Sequence, residues 1–89
     1  MTPIGRFTIG SGHPSLPGHF PGHPVVPGVV LLDEVLACLP GATLLTAKFT
    51  APVEPGMEVE IQRRVEPSGR VAFVCVSGGR TVLQGTVAP

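Results

Sequence analysis

The residues of this 89-residue chain best equipped for chemistry gather in one stretch, PGHFPGHPVVPGVVLLDEV, residues 17–35. It sets His19 and His23 in a bend of prolines and glycines, then places Asp33 and Glu34 in the most apolar segment of the chain. An imidazole has an unperturbed pKa of about 6.5, so near neutrality it can serve as a base. A carboxyl among apolar side chains keeps its proton more readily, because desolvation disfavours the charged form, and it can then act as an acid. Proton-transfer chemistry needs such a pair. The alternatives are plainer. A histidine in a Pro/Gly loop is usually solvent-exposed, and that reading stands for His13 and His23. The three histidines do not make a good metal set, since no further ligands lie near them in sequence. No glycine-rich run has a phosphate-loop pattern, so neither a metal nor another cofactor is expected.

Asp33 and Glu34 differ in direction by about 100° on a helix, so the two cannot face one site equally. The segment from Gly28 to Leu39 lacks internal Pro or Gly, follows Pro27 and ends at Pro40–Gly41, which predicts a helix over 28–39. Its apolar residues fall on nearly every face, which predicts burial. IGRFTIG (4–10) reads as a first strand, and residues 11–27 as an irregular Pro/Gly loop. LLTAKFT (44–50) alternates Leu45, Ala47 and Phe49 against Thr46, Lys48 and Thr50. MEVEIQRRV (57–65) alternates Met57, Val59 and Ile61 against Glu58, Glu60 and Gln62. EPSG (66–69) and SGGR (77–80) are turns on either side of RVAFVCV, and TVLQGTV closes the chain. The fold class expected is α+β: a curved, mostly antiparallel sheet wrapped around one central buried helix, in a single domain over 1–89.

Composition narrows the function. Formal net charge is zero, which argues against general nucleic-acid binding. No apolar run is long enough to span a membrane, and the first residues lack the basic head and apolar core of a signal peptide. A soluble cytoplasmic protein is expected, with Cys38 and Cys75 as buried free thiols. The hydrophobic content is 43% without Trp or Tyr. So small a chain buries a thin core, which favours self-association.

GHFPGHPVVPGVVLLDEV resembles the signature of the 3-hydroxyacyl-[acyl-carrier-protein] dehydratases of the hotdog-fold superfamily: a histidine in an H-F-x-G-x-P loop, then P-G-V, then an acid on the central helix. AKFTAPVEPGMEVEI is similar to the family's strand, PV-x-PG turn and strand, and GRVAFVCVSGGRTVLQGTV to its last hairpin. The likeness extends over nearly the whole chain. A compact set of relatives, associated with aryl-polyene and related polyketide-type clusters, is similar in its short helix.

The resemblance implies a lyase that removes water from a 3-hydroxyacyl thioester to give the trans-2-enoyl thioester, in fatty-acid or polyketide-type synthesis. His19 matches the catalytic base. The acid falls fourteen residues later in the family, which selects Asp33 over Glu34. The simple dehydratases usually carry Glu there and the isomerising branch Asp, so Asp33 alone does not imply isomerisation. The Gly28 N–H matches the donor to the thioester oxygen, and the Val25 carbonyl the group that orients the histidine. Phe20, Pro27, Val29, Leu32 and Leu36 are expected to line the substrate tunnel. The implied partner is acyl-carrier protein bearing a phosphopantetheine-linked 3-hydroxyacyl chain, with Arg63, Arg64, Arg70 and Arg80 as docking candidates. A homodimer with active sites shared across the interface is expected. Two alternatives are a hotdog acyl thioesterase and a non-catalytic partner subunit of a dehydratase heterodimer.

Overall fold

The computed structural model describes residues 1–10 and 25–89. In chain order these form β1 (Thr2–Thr8), α1 (Gly28–Ala37), β2 (Thr43–Phe49), β3 (Glu58–Val65), β4 (Val71–Ser77) and β5 (Arg80–Ala88). The five strands make one sheet in the order β1-β3-β4-β5-β2, and every neighbouring pair is antiparallel. Consecutive strands β3, β4 and β5 are joined by tight turns. Gly78 and Gly79 both have positive φ, 59° and 76°, between the paired Ser77 and Arg80. That is the geometry a two-residue hairpin loop requires, and glycine adopts it without steric cost.

β1 and β2 lie on opposite edges of the sheet, so the chain between them must cross a sheet face. The helix makes that crossing. One row of cross-strand partners, Gly5–Ile61–Cys75–Leu83–Phe49, runs through all five strands. The helix lies along this row: the Cys38 sulfur at its C-terminal end crowds Gly5, and Gly28 at its N-terminal end meets Phe49. Four strand spacings come to about 19 Å, and a ten-residue helix to about 15 Å, so one short helix suffices to cover the row.

The core lies between the two. Val30, Leu31, Val35 and Leu39 face Val59, Ile61, Phe73, Cys75, Leu83 and Val87, all buried. Fully burying a side chain such as Ile61 or Leu83 contributes about 1.5–3 kcal/mol, so the row beneath the helix is a chief anchor. On the outer face of the sheet Arg6 pairs with Glu60 at 3.1 Å, and Gln62 donates to Glu60 at 2.7 Å. These contacts hold the Glu60 carboxyl below its ordinary range, the Gln62 bond contributing most.

Three expectations are corrected. The helix is not buried all round: Val29, Asp33 and Ala37 form an exposed stripe at i, i+4 and i+8. It ends at Ala37, with Cys38 as its C-cap. In β2 a register shift between Leu44 and Thr46 turns Leu44, opposite Val87, toward the core and leaves Leu45 exposed. The expected free thiols are found, Cys75 buried and Cys38 half-buried. Among the described residues no helix is long and apolar enough to cross a membrane.

Candidate active site

Among the described residues no side chain caps the helix start. Pro27 is the N-cap, and its carbonyl accepts from the Val30 N–H at 3.0 Å. The first amides of a helix have no partners within it and carry the positive end of its dipole, so Gly28 presents an N–H suited to a developing negative charge.

A cleft of about 500 Å³ opens at this helix end, lined by Val25, Val26, Gly28 and Leu31 on one side and by Phe49 to Val53 on the other. Its two walls are bonded together, since the Val26 N–H donates to the Val53 carbonyl at 2.7 Å. The β2–β3 loop does this work at both flanks of residues 11–24, because the Gly56 N–H also donates to the Ile9 carbonyl at 2.8 Å. The one hydroxyl in the lining, on Thr50, already donates to the Thr81 carbonyl at 2.7 Å. The described walls therefore supply apolar surface and backbone amides but no acid, base or nucleophile.

The structure brings together Val25 and Gly28 of the expected site. His19 and Phe20 lie outside the described residues, as do His13 and His23. Asp33 does not join the cleft. It stands five residues after Gly28, about 7.5 Å along the axis and about 140° around it, on the exposed stripe. The expectation that the helix itself desolvates Asp33 is therefore corrected: within one chain this carboxylate faces away from the sheet. Glu34 is half-buried. Of the expected tunnel residues, Val29 is 63% exposed, Leu32 and Leu36 are half-buried against the core, and Pro27 is half-buried at the cap. None of these four lines the cleft at Gly28.

Sequence reasoning assigned no site role to Phe49, Thr50 or Val53. Phe49 was legible as the aromatic that ends a strand just before the APVEPG turn, but nothing in its spacing indicated that it meets the helix start. The four arginines separate, Arg70 lying exposed in the turn before β4. Arg63 shares a depression with Cys38, Leu39 and Pro40 at the helix C-terminal end, and Arg64 a groove with Thr46 and Lys48. Arg80 shares one with Pro52, which also lines the cleft.

A family model described as ApeI-like, ApeI dehydratase, matches residues 2–86. The chain belongs to the ApeI-like dehydratase family. The 3-hydroxyacyl-[acyl-carrier-protein] dehydratase FabZ of Fusobacterium nucleatum is similar at 36% identity over 84 residues, which takes in 80% of this chain and 59% of that protein. The FabZ of Syntrophotalea carbinolica is similar at 30% identity, over 94% of this chain and 67% of its own length. The chain thus spans about three-fifths to two-thirds of these relatives. A chain of the dehydratase heterocomplex ApeI:P from Xenorhabdus doucetiae matches with a TM-score of 0.75 at 23% identity, covering 93% of this chain and 81% of that one. The sheet and helix are those of the hotdog fold.

Proposed function

We propose that the protein dehydrates a 3-hydroxyacyl group carried on acyl-carrier protein to the trans-2-enoyl thioester. The observation that carries this reading is the open helix N-terminus at Gly28, set at an apolar cleft in a dehydratase-family chain. The thioester oxygen accepts from the Gly28 N–H, which stabilises the negative charge that grows there. His19 takes the C2 proton. Asp33 protonates the C3 hydroxyl, which leaves as water while the C2–C3 double bond forms. The Val25 carbonyl orients the His19 ring. A carboxyl beside a hydrophobic chain is suited to the acid role only if it is desolvated, and an exposed Asp33 gains that environment from a second subunit.

Two surfaces suit such a subunit. The stripe around Asp33 is flanked by Val29, Leu32 and Leu36, and β2 is an edge strand with Leu45 and Phe49 exposed. Exposed apolar side chains and an open strand edge suit an association face. We take the partner to be a second copy, with His19 and Asp33 of each site supplied by different subunits. The similarity to a chain from a heterocomplex favours one further reading, in which the partner is a paralogue. The test is to incubate the purified protein with 3-hydroxyacyl-carrier protein and follow the loss of one water by mass. Turnover by this chain alone supports the homodimer. Turnover only after a paralogue is added supports the heterodimer, and hydrolysis of the thioester in place of dehydration overturns both.

A further inference from the structure

The ring of Phe49 is pressed against Gly28. A Cβ built on Gly28 would stand 2.6 Å from Cζ, 2.7 Å from Cε1 and 3.1 Å from Cε2 of Phe49. The tip of the ring is therefore in van der Waals contact with the glycine α-carbon, and no other residue fits at position 28 while the ring stays. The backbone under the ring is fixed. Phe49 is paired with the fully buried Leu83, and the next residue, Thr50, is bonded twice to β5, through its N–H to Val82 at 3.0 Å and its hydroxyl to Thr81 at 2.7 Å. On the other side the helix entry is held by the bond from Val26 to Val53. Gly28 thus sits between two supports, both furnished by the segment from Phe49 to Val53. Phe49 itself remains 49% exposed, an unusual place for a ring whose purpose is to fill the core.

We propose that Phe49 is a positioning residue for the thioester-binding amide. Its ring braces the helix start at the Gly28 α-carbon. This rests on the reading of Gly28 as the donor to the thioester oxygen. A preorganised donor in a water-excluded site stabilises the transition state far more than a mobile, hydrated one, and a shift of about 1 Å in a positioning group can cost about 10²-fold in rate. Phe49 acts through Gly28. It supplies the lateral restraint that a capping side chain gives to other helices.

The test uses Phe49→Ala, Phe49→Leu and Phe49→Tyr in the full chain, with two readouts. One is amide hydrogen exchange at Val30, whose N–H is bonded to the Pro27 carbonyl across Gly28, so that it reports opening of the helix start without any substrate. The other is the split between kcat and KM. Bracing predicts that Phe49→Ala and Phe49→Leu speed Val30 exchange by about tenfold or more. They should also lower kcat by about tenfold or more with KM changed less than about threefold. Phe49→Tyr, which keeps the ring, should hold both near the native values. Unchanged Val30 exchange in the Leu and Ala variants overturns the proposal, as does a loss carried by KM alone. If Phe49→Ala fails to fold, Phe49→Leu decides by the same criteria. If the native protein turns over no carrier-bound substrate, the dehydratase reading falls, while the exchange experiment still decides whether Phe49 braces Gly28.

Discussion

The sulfur of Cys38 occupies the space beside Gly5 on β1, 2.8 Å from where a Cβ would stand. It docks the C-terminal end of the helix on one edge of the sheet, as Phe49 docks the N-terminal end on the other. A Gly→Ala change in a strand ordinarily gains about 0.4–1 kcal/mol by restricting the unfolded chain. Overpacking a tight contact costs about 1–3 kcal/mol. The second effect is the larger here, so Gly5→Ala should lower the denaturant midpoint. Adding Cys38→Ala to Gly5→Ala removes the clash, and the double variant should be more stable than the sum of the two single effects. Strict additivity in urea unfolding would contradict the docking.

Burial pushes the Cys75 thiol up to about 12 from the ordinary 9.0, with a smaller contribution from nearby Cys38. The thiolate is the reactive species. A thiol reagent at mildly alkaline pH should therefore modify Cys38, which is half-buried, well before Cys75, and Cys75 only as the protein unfolds. The same shift has a thermodynamic sign. The folded state holds the Cys75 proton where the unfolded state has released it, so this contribution to stability is intact below pH 9 and declines as pH rises toward about 12. Unfolding midpoints measured across that range should fall, and Cys75→Val should flatten the fall. An identical slope in Cys75→Val would assign it to other groups.

Sequence patterning located all five strands and the helix, because period-two alternation and the Pro/Gly stops are local signals. What it missed was tertiary. Leu45 alternates correctly with Ala47 and Phe49, yet the register shift against β5 exchanges its place with Leu44. The order β1-β3-β4-β5-β2 follows from the helix crossing from edge to edge, which no single segment encodes. The motif singled out Val25 and Gly28, and both line the cleft. The cleft wall at Phe49 and Val53 comes from a loop that reads in sequence as a mere turn. The burial of Asp33 was misjudged for an instructive reason: its neighbours in sequence are apolar, but Leu32 and Leu36 pack against the core from the flanks of the helix while Asp33 shares the exposed stripe with Val29 and Ala37.

The exposure of Asp33 sharpens the expected roles of the two adjacent acids. Asp33→Asn should reduce dehydration severely, by about 10²–10⁴-fold for loss of a proton donor, with a small change in stability because the side chain is exposed. Glu34→Gln should change turnover little. His19→Ala should match Asp33→Asn in severity, while His13→Ala and His23→Ala keep most activity. Rates on 3-hydroxyacyl-carrier protein, with unfolding midpoints alongside, check all five. A dead Glu34→Gln variant would move the acid by one residue. Near-normal turnover by folded His19→Ala would remove the proposed base.

Asp33 points away from the cleft that holds Gly28 and Val25 in its own chain, so an acid for that cleft is expected from the other subunit. Subunit mixing tests this directly. His19→Ala and Asp33→Ala are each inactive as homodimers under the proposed mechanism, because every site lacks one group. In a mixed dimer with crossed sites, one site loses both groups and the other keeps both. Free two-fold pairing at equal concentrations makes half the dimers mixed, so about a quarter of all sites should recover. If each chain supplied its own pair, every site in the mixed dimer would still lack one group and no activity would return. Exchange is verified independently by a mass tag on one variant. Recovery near a quarter of the native rate supports the crossed site. No recovery despite proven exchange would place Asp33 and His19 in a single chain, and would require the helix to turn Asp33 toward its own cleft.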